Sequence, residues 1–242
     1  MTDRTVFTIT GPDRHNFLAG LITNSFDAQS PLTYAALLTA QGKFVADFFL
    51  LNDAEQVFLD VASTHASLLL TRLNMYKLRA DVTIAQSDLS VSLGSGHADP
   101  RHPELPHRTY SAASDSNAPS AITADALSAL SVRLAVPQTG IELTPDTYIL
   151  EAGFERLNGI DFKKGCFVGQ EICARMKHKT ELKKGLVKVA HDGSANADTP
   201  ITKDGKPAGH LYSVSGNLGL AHIRFDRADG MRADETALTV ID

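Results

Sequence analysis

The sequence contains no tryptophan and only two cysteines among its 242 residues. Two thiols cannot build a disulfide framework for a chain of this length, and a reducing compartment would keep them as thiols. No stretch approaches the roughly 18 consecutive apolar residues of a membrane span. The first residues also lack the basic and apolar regions of a secretory signal. These absences predict a globular cytoplasmic protein with no membrane partner.

Charge is unevenly distributed along the chain. The formal net charge is -5 at pH 7, yet residues 163–188 carry eight basic side chains against two acidic ones. A basic segment in an acidic protein indicates either a site for an anion, such as a carboxylate tail, a phosphate or an acidic protein surface, or a solvated basic face. Nucleic acid is not favoured as a partner, because Phe167 is the only aromatic residue in that segment for base stacking.

The first part of the chain alternates short apolar runs with polar turns. Residues 5–9 predict a strand, and residues 34–62 predict an antiparallel meander of three strands. A helix capped by Asp13 should follow the first strand, a second helix should follow the meander, and residues 81–93 should form two more short strands. The residues expected to face the core are Phe17, Leu18, Leu21 and Ile22 on the first helix, and Leu68, Leu69, Leu73 and Tyr76 on the second.

Residues 94–120 are poor in apolar side chains and rich in proline, serine, alanine and histidine. This composition predicts a long loop, and such loops inside compact domains are usually functional or mobile. His97, His102 and His107 recur in it every five residues. That spacing fits neither a helix face nor a known ligand motif, so we interpret them as surface histidines and predict no metal site.

The pattern changes again after the loop. Residues 124–130 predict a short helix and residues 132–136 a strand. From about Leu186 the chain reads as short strands with glycine-rich turns, and Lys-Asp-Gly-Lys at residues 203–206 is a strong hairpin signal. Helices beside antiparallel sheets indicate an α+β fold that ends in a small barrel. We therefore predict two domains, residues 1–182 and residues 183–242.

Both cysteines fall in the segment DFKKGCFVGQEICARM. Gly165 and Gly169 bracket Cys166, so the backbone can adopt conformations closed to other residues and can approach a ligand. A helix is expected to begin near Gly169, which puts Cys166 just before a helix N-terminus and beside Lys163 and Lys164. Both features lower a thiol pKa and raise its reactivity.

Cys173 lies within the predicted helix and is expected to pack as a small core residue, because free cysteine is among the most buried residue types. Six residues separate it from Cys166, which is not a zinc-type spacing, and no nearby histidine pair completes a site.

The segment KKGCFVGQEICAR resembles the signature Lys-Gly-Cys-aromatic-x-Gly-Gln-Glu-x-x-x-Arg of the YgfZ-type folate-binding proteins. These are relatives of the glycine-cleavage T protein, an aminomethyltransferase, and act in iron-sulfur cluster assembly and maintenance. Phe167 stands where tyrosine is common in the family, and Pro106 precedes His107 where a glycine is expected. Other segments similar to the family are GPDRHNFLAGLITN, YAALLTAQGKFVADFFL, MYKLRADVTI, DPRHPELPHR and GHLYSVSGNLGLAHIRFD.

The resemblance implies a GcvT-like architecture, in which a folate-binding α+β body of antiparallel sheets and packed helices is joined to a C-terminal β-barrel. It implies tetrahydrofolate or another folate derivative as ligand and iron-sulfur enzymes or assembly proteins as partners, and it singles out Cys166 as the functional thiol without fixing its chemical role. The signature residues carried over by motif match are Lys164, Gly165, Cys166, Gly169, Gln170, Glu171 and Arg175.

Candidate folate contacts can be sought among residue types, since a pterin presents an amide and amino edge and folate carries an anionic tail. Asp47 lies in the apolar run FVADFFLL, where a carboxylate needs a partner or a cavity, unless it points to solvent from an edge strand. Asn24, Gln41 and Arg79 stand at element ends, where binding groups often lie. Glu151 in YILEAGF is similar to the Glu-Ala-Gly of the T protein's folate site.

Three functions follow from this pattern. The first is a folate-dependent accessory factor in iron-sulfur cluster assembly or repair. In it Cys166 either contacts an iron-sulfur cluster transiently, because thiolate is the soft ligand for iron, or senses or protects against oxidative damage. The second is a tetrahydrofolate-dependent aminomethyl or other one-carbon transferase, against which the signature cysteine argues because the T protein does not use that motif. The third is a non-catalytic module in which Lys-Gly-Cys only builds a tight turn. Whether the protein is an enzyme stays open.

Overall fold

The computed structural model describes residues 3–27, 29–30, 32–112, 121–179 and 181–241. The chain divides into two compact units, which are treated separately below. The first unit comprises Met1–Ala124 and Phe154–Ile172, and the second comprises Asp125–Gly153 and Cys173–Asp242.

The first unit is built on a five-stranded antiparallel sheet with strand order β2-β3-β4-β1-β5. Leu18 of α1 and Leu69 and Leu73 of α2 join Phe48 and Leu59 of the sheet in one buried cluster. The predicted first strand, meander and two helices are confirmed. The elements are β1 (Arg4–Thr10), α1 (Arg14–Ala19), β2 (Thr33–Leu38), β3 (Phe44–Asn52), β4 (Gln56–Ala62), α2 (Ser63–Lys77) and β5 (Thr83–Gln86).

Two details of these helices differ from the prediction. The Asp13 side chain makes no capping hydrogen bond; its carboxylate instead accepts the backbone N–H of Asp81 at 2.8 Å. Leu68 is 43% exposed. Leu69 and Leu73, four residues apart, lie on the buried side of α2, and Leu68 points to a different side of the helix.

A strand, β7 (His107–Ala112), lies within the segment predicted to be a loop and pairs with β6 (Leu89–Gly94) in a two-stranded hairpin. The prediction of a continuous loop over residues 94–120 is therefore wrong for β7, and residues 113–120 lie outside the described residues. The backbones of His97 and Arg108 also exchange two hydrogen bonds, of 2.8 and 2.7 Å. The strand was missed because its side chains are mostly polar or half-buried.

The next two helices are α3 (Ala124–Arg133) and α4 (Gln170–His178). The helix predicted at residue 124 is confirmed, and so is the one predicted to begin near Gly169. The strand predicted over residues 132–136 is wrong. Helix α3 includes Val132 and Arg133, and a turn follows it, in which the N–H of Leu134 donates to the carbonyl of Leu130 at 2.9 Å and Ala135 has a φ of 52°.

The second unit contains a closed six-stranded barrel of order β10-β11-β8-β13-β12-β9. Asp204 and Gly205 both have positive φ, 50° and 70°, which is the geometry of a tight two-residue hairpin turn. The predicted α+β fold with a C-terminal barrel is confirmed. The strands are β8 (Lys184–His191), β9 (Thr199–Lys203), β10 (Lys206–Ser215), β11 (Leu218–Arg224), β12 (Arg232–Ala233) and β13 (Thr236–Ile241). None of the helices described has the length and apolar character needed to cross a bilayer.

Candidate functional site

Cys166 is a free, exposed thiol in the segment that leads into α4. The two glycines around it have different environments. Gly169 has φ +84°, and a Cβ on it would lie 2.7 Å from the carbonyl oxygen of Thr39, so the fold itself requires glycine there. At Gly165 no described residue beyond its chain neighbours comes within 4 Å of a Cβ. The space beside Cys166 is therefore open on the Gly165 side.

Two side chains that follow α1 hold the cysteine segment, by which we mean residues 158–166, against the rest of the first unit. The buried hydroxyl of Thr23 donates to the carbonyl oxygen of Gly159 at 2.6 Å. The Asn24 amide nitrogen donates to the carbonyl oxygens of Tyr34 at 2.9 Å and Asn158 at 2.6 Å. The amide N–H groups of Asn24 thus bind the backbone, where the sequence predicted a folate contact.

Lys164 provides a second fastening point. Its ammonium group donates to the carbonyl oxygens of Ala19 at 2.7 Å and Ile22 at 2.6 Å, where α1 ends and carbonyl groups lack helical partners. It also lies 5.1 Å from the centre of the Phe167 ring. Burial lowers the pKa of Lys164 to about 8, opposed by the nearby carboxylate of Asp161. The signature lysine therefore binds the end of α1.

The remaining signature residues lie on α4. Gln170 begins the helix, Glu171 lies in its first turn and Arg175 in its last, the arrangement that the helix dipole favours. Cys173 is 2% exposed, and burial raises the pKa of its thiol to about 11. The expectation that Cys173 packs in the core is confirmed.

Asp47 lies on the inner strand β3 and is 4% exposed. Its carboxylate accepts the Tyr34 hydroxyl at 3.0 Å, and the Tyr34 ring packs 5.2 Å from the rings of both Phe49 and Phe154. Burial, together with the charge of Asp47, raises the pKa of Tyr34 well above its usual range. The alternative of an edge-strand aspartate pointing to solvent is wrong, because β3 is paired on both sides.

The structure also contains a buried ionic cluster that sequence reasoning missed. Asp60 accepts Arg4 Nε at 2.5 Å, Arg108 Nη1 at 3.0 Å and the Tyr110 hydroxyl at 3.0 Å. The Arg108 guanidinium carbon lies 3.7 Å from the centre of the Phe49 ring. Asp60 lies inside the apolar run QVFLDVA, and this pattern, a single acid among apolar residues, is the one that made Asp47 a candidate.

Asp99 extends this cluster from the Asp-Pro-Arg segment. Its two carboxylate oxygens accept Arg101 Nε at 3.0 Å and Nη2 at 2.8 Å, a bidentate pairing, and Arg108 Nε lies 3.4 Å away. Burial opposes the charged form, but the two arginines outweigh it and lower the pKa of Asp99 to about 2. The cluster ties the β6–β7 hairpin to β1 and β4.

The other two predicted folate contacts are exposed. Gln41 lies in the β2–β3 turn, and the Cα of its neighbour Gly42 would lie 3.2 Å from a Cβ on Gly169. The structure thus brings the Gln41 turn to the start of α4. Arg79 lies two residues beyond the end of α2, on a different part of the first unit.

The second unit contains a cleft of about 300 Å³ beside Glu151. Glu151 is 9% exposed, and one of its carboxylate oxygens lies 3.1 Å from His222 Nε2 and 3.5 Å from Lys184 Nζ. A mostly buried carboxylate beside several cations can bind a ligand that carries both hydrogen-bond donors and anionic groups. The cleft is lined by Glu151, Met176, Glu181, Leu182, Lys183, Lys184 and Arg224.

Comparison with known proteins identifies the barrel and the relatives of the whole chain. Residues 183–242 match the family model of the CAF17 C-terminal beta-barrel domain. The chain is 28% identical to the iron-sulfur cluster assembly factor IBA57 homolog, mitochondrial, of Phaeosphaeria nodorum, over 95% of this chain and 70% of the relative. It is 26% identical to the human iron-sulfur cluster assembly factor IBA57, mitochondrial, over 97% of this chain and 80% of that protein.

The fold also matches a solved structure. The crystal structure of glycine cleavage system aminomethyltransferase T from Bartonella henselae aligns with a TM-score of 0.80, over 100% of this chain and 83% of that one. This confirms the predicted GcvT-like fold; at 13% sequence identity the likeness shows the fold alone. The relatives are named IBA57 proteins, where the sequence motif pointed to the YgfZ type. Their names also place them in mitochondria, so the prediction of a cytoplasmic protein is wrong.

Proposed function

We propose that this protein is an iron-sulfur cluster assembly factor, like the mitochondrial relatives to which it is similar, and that Cys166 is the thiol that contacts the cluster. The observation that carries the proposal is the contrast between the two cysteines. Cys166 is exposed while Cys173 is buried, and the segment that bears Cys166 is hydrogen-bonded to the residues after α1. A thiol held in this way can be offered to a partner.

Iron is the cargo in this proposal. Thiolate sulfur is a soft ligand that suits iron-sulfur clusters, but a cubane cluster needs several such ligands. One exposed thiol therefore shares the cluster with a partner protein or a small thiol, and the contact is transient. The open space beside Gly165 leaves room for a bulky group to approach the sulfur.

A folate ligand is the second part of the proposal, and the cleft beside Glu151 is where we expect it. The Glu151 carboxylate would accept the amide and amino edge of the pterin, and Lys183, Lys184 and Arg224 would pair with the glutamate tail. A cleft of about 300 Å³ is at the small end of ligand sites, which suits the pterin ring better than the whole of tetrahydrofolate. The residues present therefore fit the ligand, and Asp47 is the second candidate acid.

An aminomethyl transferase activity is not favoured. The relatives that span most of this chain are named assembly factors. The similarity to the aminomethyltransferase structure is one of fold alone, and fold does not imply function.

The test of the assembly function is complementation of a host strain that lacks its own copy. The readout is the activity of enzymes with a four-iron cluster, normalised to enzymes without one. Wild type and Cys173→Ser should restore activity, and Cys166→Ser should not, at equal protein levels. Full rescue by Cys166→Ser would mean that the cysteine only shapes a turn.

The test of the folate site is an anaerobic calorimetric titration of tetrahydrofolate. Wild type and Cys166→Ser should bind alike, and Glu151→Gln should bind at least about tenfold more weakly, because a hydrogen bond to a charged group is lost. Glu181→Gln, an exposed residue of the same cleft, is the matched control. Absence of binding to wild type would remove the folate proposal and leave the assembly function standing.

A further inference from the structure

Helix α2 presents an unusual apolar stripe to solvent. Six large apolar side chains are strongly exposed in the part of the chain that the structure describes, and three of them are Leu68 at 43%, Met75 at 56% and Leu78 at 88%. Leu68 and Met75 are two helical turns apart and share one face of α2, and Leu78 follows its last residue. We name these three residues the α2 stripe. They span eleven residues, and Leu68 and Met75 lie about 10 Å apart along the helix axis.

The backbone at Leu78 is strained. Its φ of 39° and ψ of -100° lie in a region that residues with a side chain rarely adopt, and holding them costs free energy. A strained residue usually recovers this cost by packing, but 88% exposure means that Leu78 recovers almost nothing within its own chain. The conformation places an apolar side chain in solvent at the end of α2. A partner that covered this side chain would offset the cost of the strain by burying its apolar surface.

The charged side chains of α2 itself and of the two residues that follow it are all basic, and Asp81 is the first acidic residue after the stripe. Residues 61–80 contain no aspartate or glutamate, and Arg72, Lys77 and Arg79 interleave with the stripe. Methionine and arginine are also enriched in protein interfaces. Two copies of this chain that met face to face across α2 would bring these cations together, so a symmetric dimer is disfavoured. The complementary surface is apolar along its centre and carries carboxylates on its flanks.

We propose that the α2 stripe is a docking surface for an amphipathic helix of a partner protein, with carboxylates on either side of its apolar face. A helix is the occupant because Leu68 and Met75 lie on one side of α2, and side chains aligned along one helix pack into the groove of another. The α2 stripe shares no residue with the cysteine motif or the folate cleft, so a failure of this proposal would leave the proposed function unaffected.

The probe is a synthetic helical peptide of about four turns with leucine and isoleucine on one face and glutamate on both flanks. Its binding to the full-length protein is measured by fluorescence anisotropy, beside a peptide in which every glutamate is replaced by lysine. The acidic peptide should bind at least about tenfold more tightly than the basic one, and about 500 mM salt should weaken it. Met75→Glu should weaken binding at least about tenfold, whereas Val240→Glu, at an exposed apolar position on β13, should not.

Leu78→Gly separates docking from fold stability. Glycine accepts a positive φ without strain, so this variant should melt at a higher temperature than wild type and still bind the acidic peptide more weakly. A structural role for Leu78 would lower the melting temperature instead. Three results would overturn the proposal: equal binding of the acidic and basic peptides, a dimer in sedimentation that Met75→Glu dissolves, or Met75-dependent binding to phosphatidylglycerol vesicles without binding of the acidic peptide.

Discussion

Lys164 reaches back 142 residues to Ile22, where its ammonium group lies 2.6 Å from the backbone carbonyl oxygen. The neighbouring carbonyl of Ala19 accepts a second hydrogen bond from the same nitrogen. A lysine two residues before an exposed thiol would ordinarily be assigned to the chemistry of that thiol. Here its N–H groups serve first to hold the residues beside Cys166 against the end of α1.

Replacing Lys164 by methionine should remove a pH dependence of stability. Burial lowers the folded-state pKa from 10.5 to about 8, so between these values the unfolded chain binds more protons than the folded one. The free energy of unfolding of wild type should therefore rise from about pH 8 towards pH 10.5, relative to the variant. Denaturant titrations across this range measure it, and parallel profiles for the two proteins would contradict the assignment.

The two glycines around Cys166 should respond oppositely to alanine. Gly169→Ala forces a Cβ towards the Thr39 carbonyl at a positive φ, and should lower the free energy of unfolding by about 2 kcal/mol or more. Gly165→Ala should leave stability unchanged, because its side-chain space is open. Urea denaturation of both variants tests this. If Gly165→Ala also fails in the complementation assay while remaining stable, the space beside the thiol is needed by a partner.

The two cysteines should differ in reactivity. Iodoacetamide should modify Cys166 rapidly in the native protein, because it is exposed. Cys173 should stay unmodified until the protein unfolds, because it is 2% exposed and burial raises its pKa to about 11. Mass spectrometry of a time course gives both rates in one sample. Equal rates would mean that α4 opens on the time scale of the reaction.

Asp60→Asn should be strongly destabilising. It leaves Arg4 and Arg108 in a buried site without their carboxylate, and breaking such a cluster costs about 3–5 kcal/mol. The control is Asp226→Asn, whose partner Arg224 is on the surface and whose loss should not change the unfolding transition measurably. Equal stability of the two variants would show that the cluster adds nothing to the fold.

The sheet and the barrel could be predicted because their signals are local. Alternating apolar residues and tight turns, such as Asp204-Gly205, are read within a few positions. The α2 stripe could not be predicted in the same way. Leu68, Leu69 and Leu70 point to three different sides of the helix, and all three are apolar. Leu69 is buried and Leu68 is exposed because only Leu69 faces the sheet.

Polar side chains were harder to interpret, because their partners are distant in sequence. Asp47 and Asp60 look alike, each an acid in an apolar run, but Asp47 accepts the hydroxyl of Tyr34, whereas Asp60 accepts two arginines and a tyrosine. Asn24, a predicted ligand contact at an element end, also donates to the carbonyl of Asn158, which lies 134 residues away. No local pattern reveals such a pairing.

The long reach of these contacts also sets the order in which the molecule can assemble. Thr23 meets Gly159, and Lys164 meets Ile22, only after a loop of more than a hundred residues has closed, which is entropically costly and slow unless the sheet has already formed. During synthesis the strands of the first unit emerge before the segment that carries the thiol, so these contacts form after that segment has been made. We therefore expect Cys166 to reach its supported position only after the five-stranded sheet has formed, so that a partner which requires this position binds only chains that have passed this step.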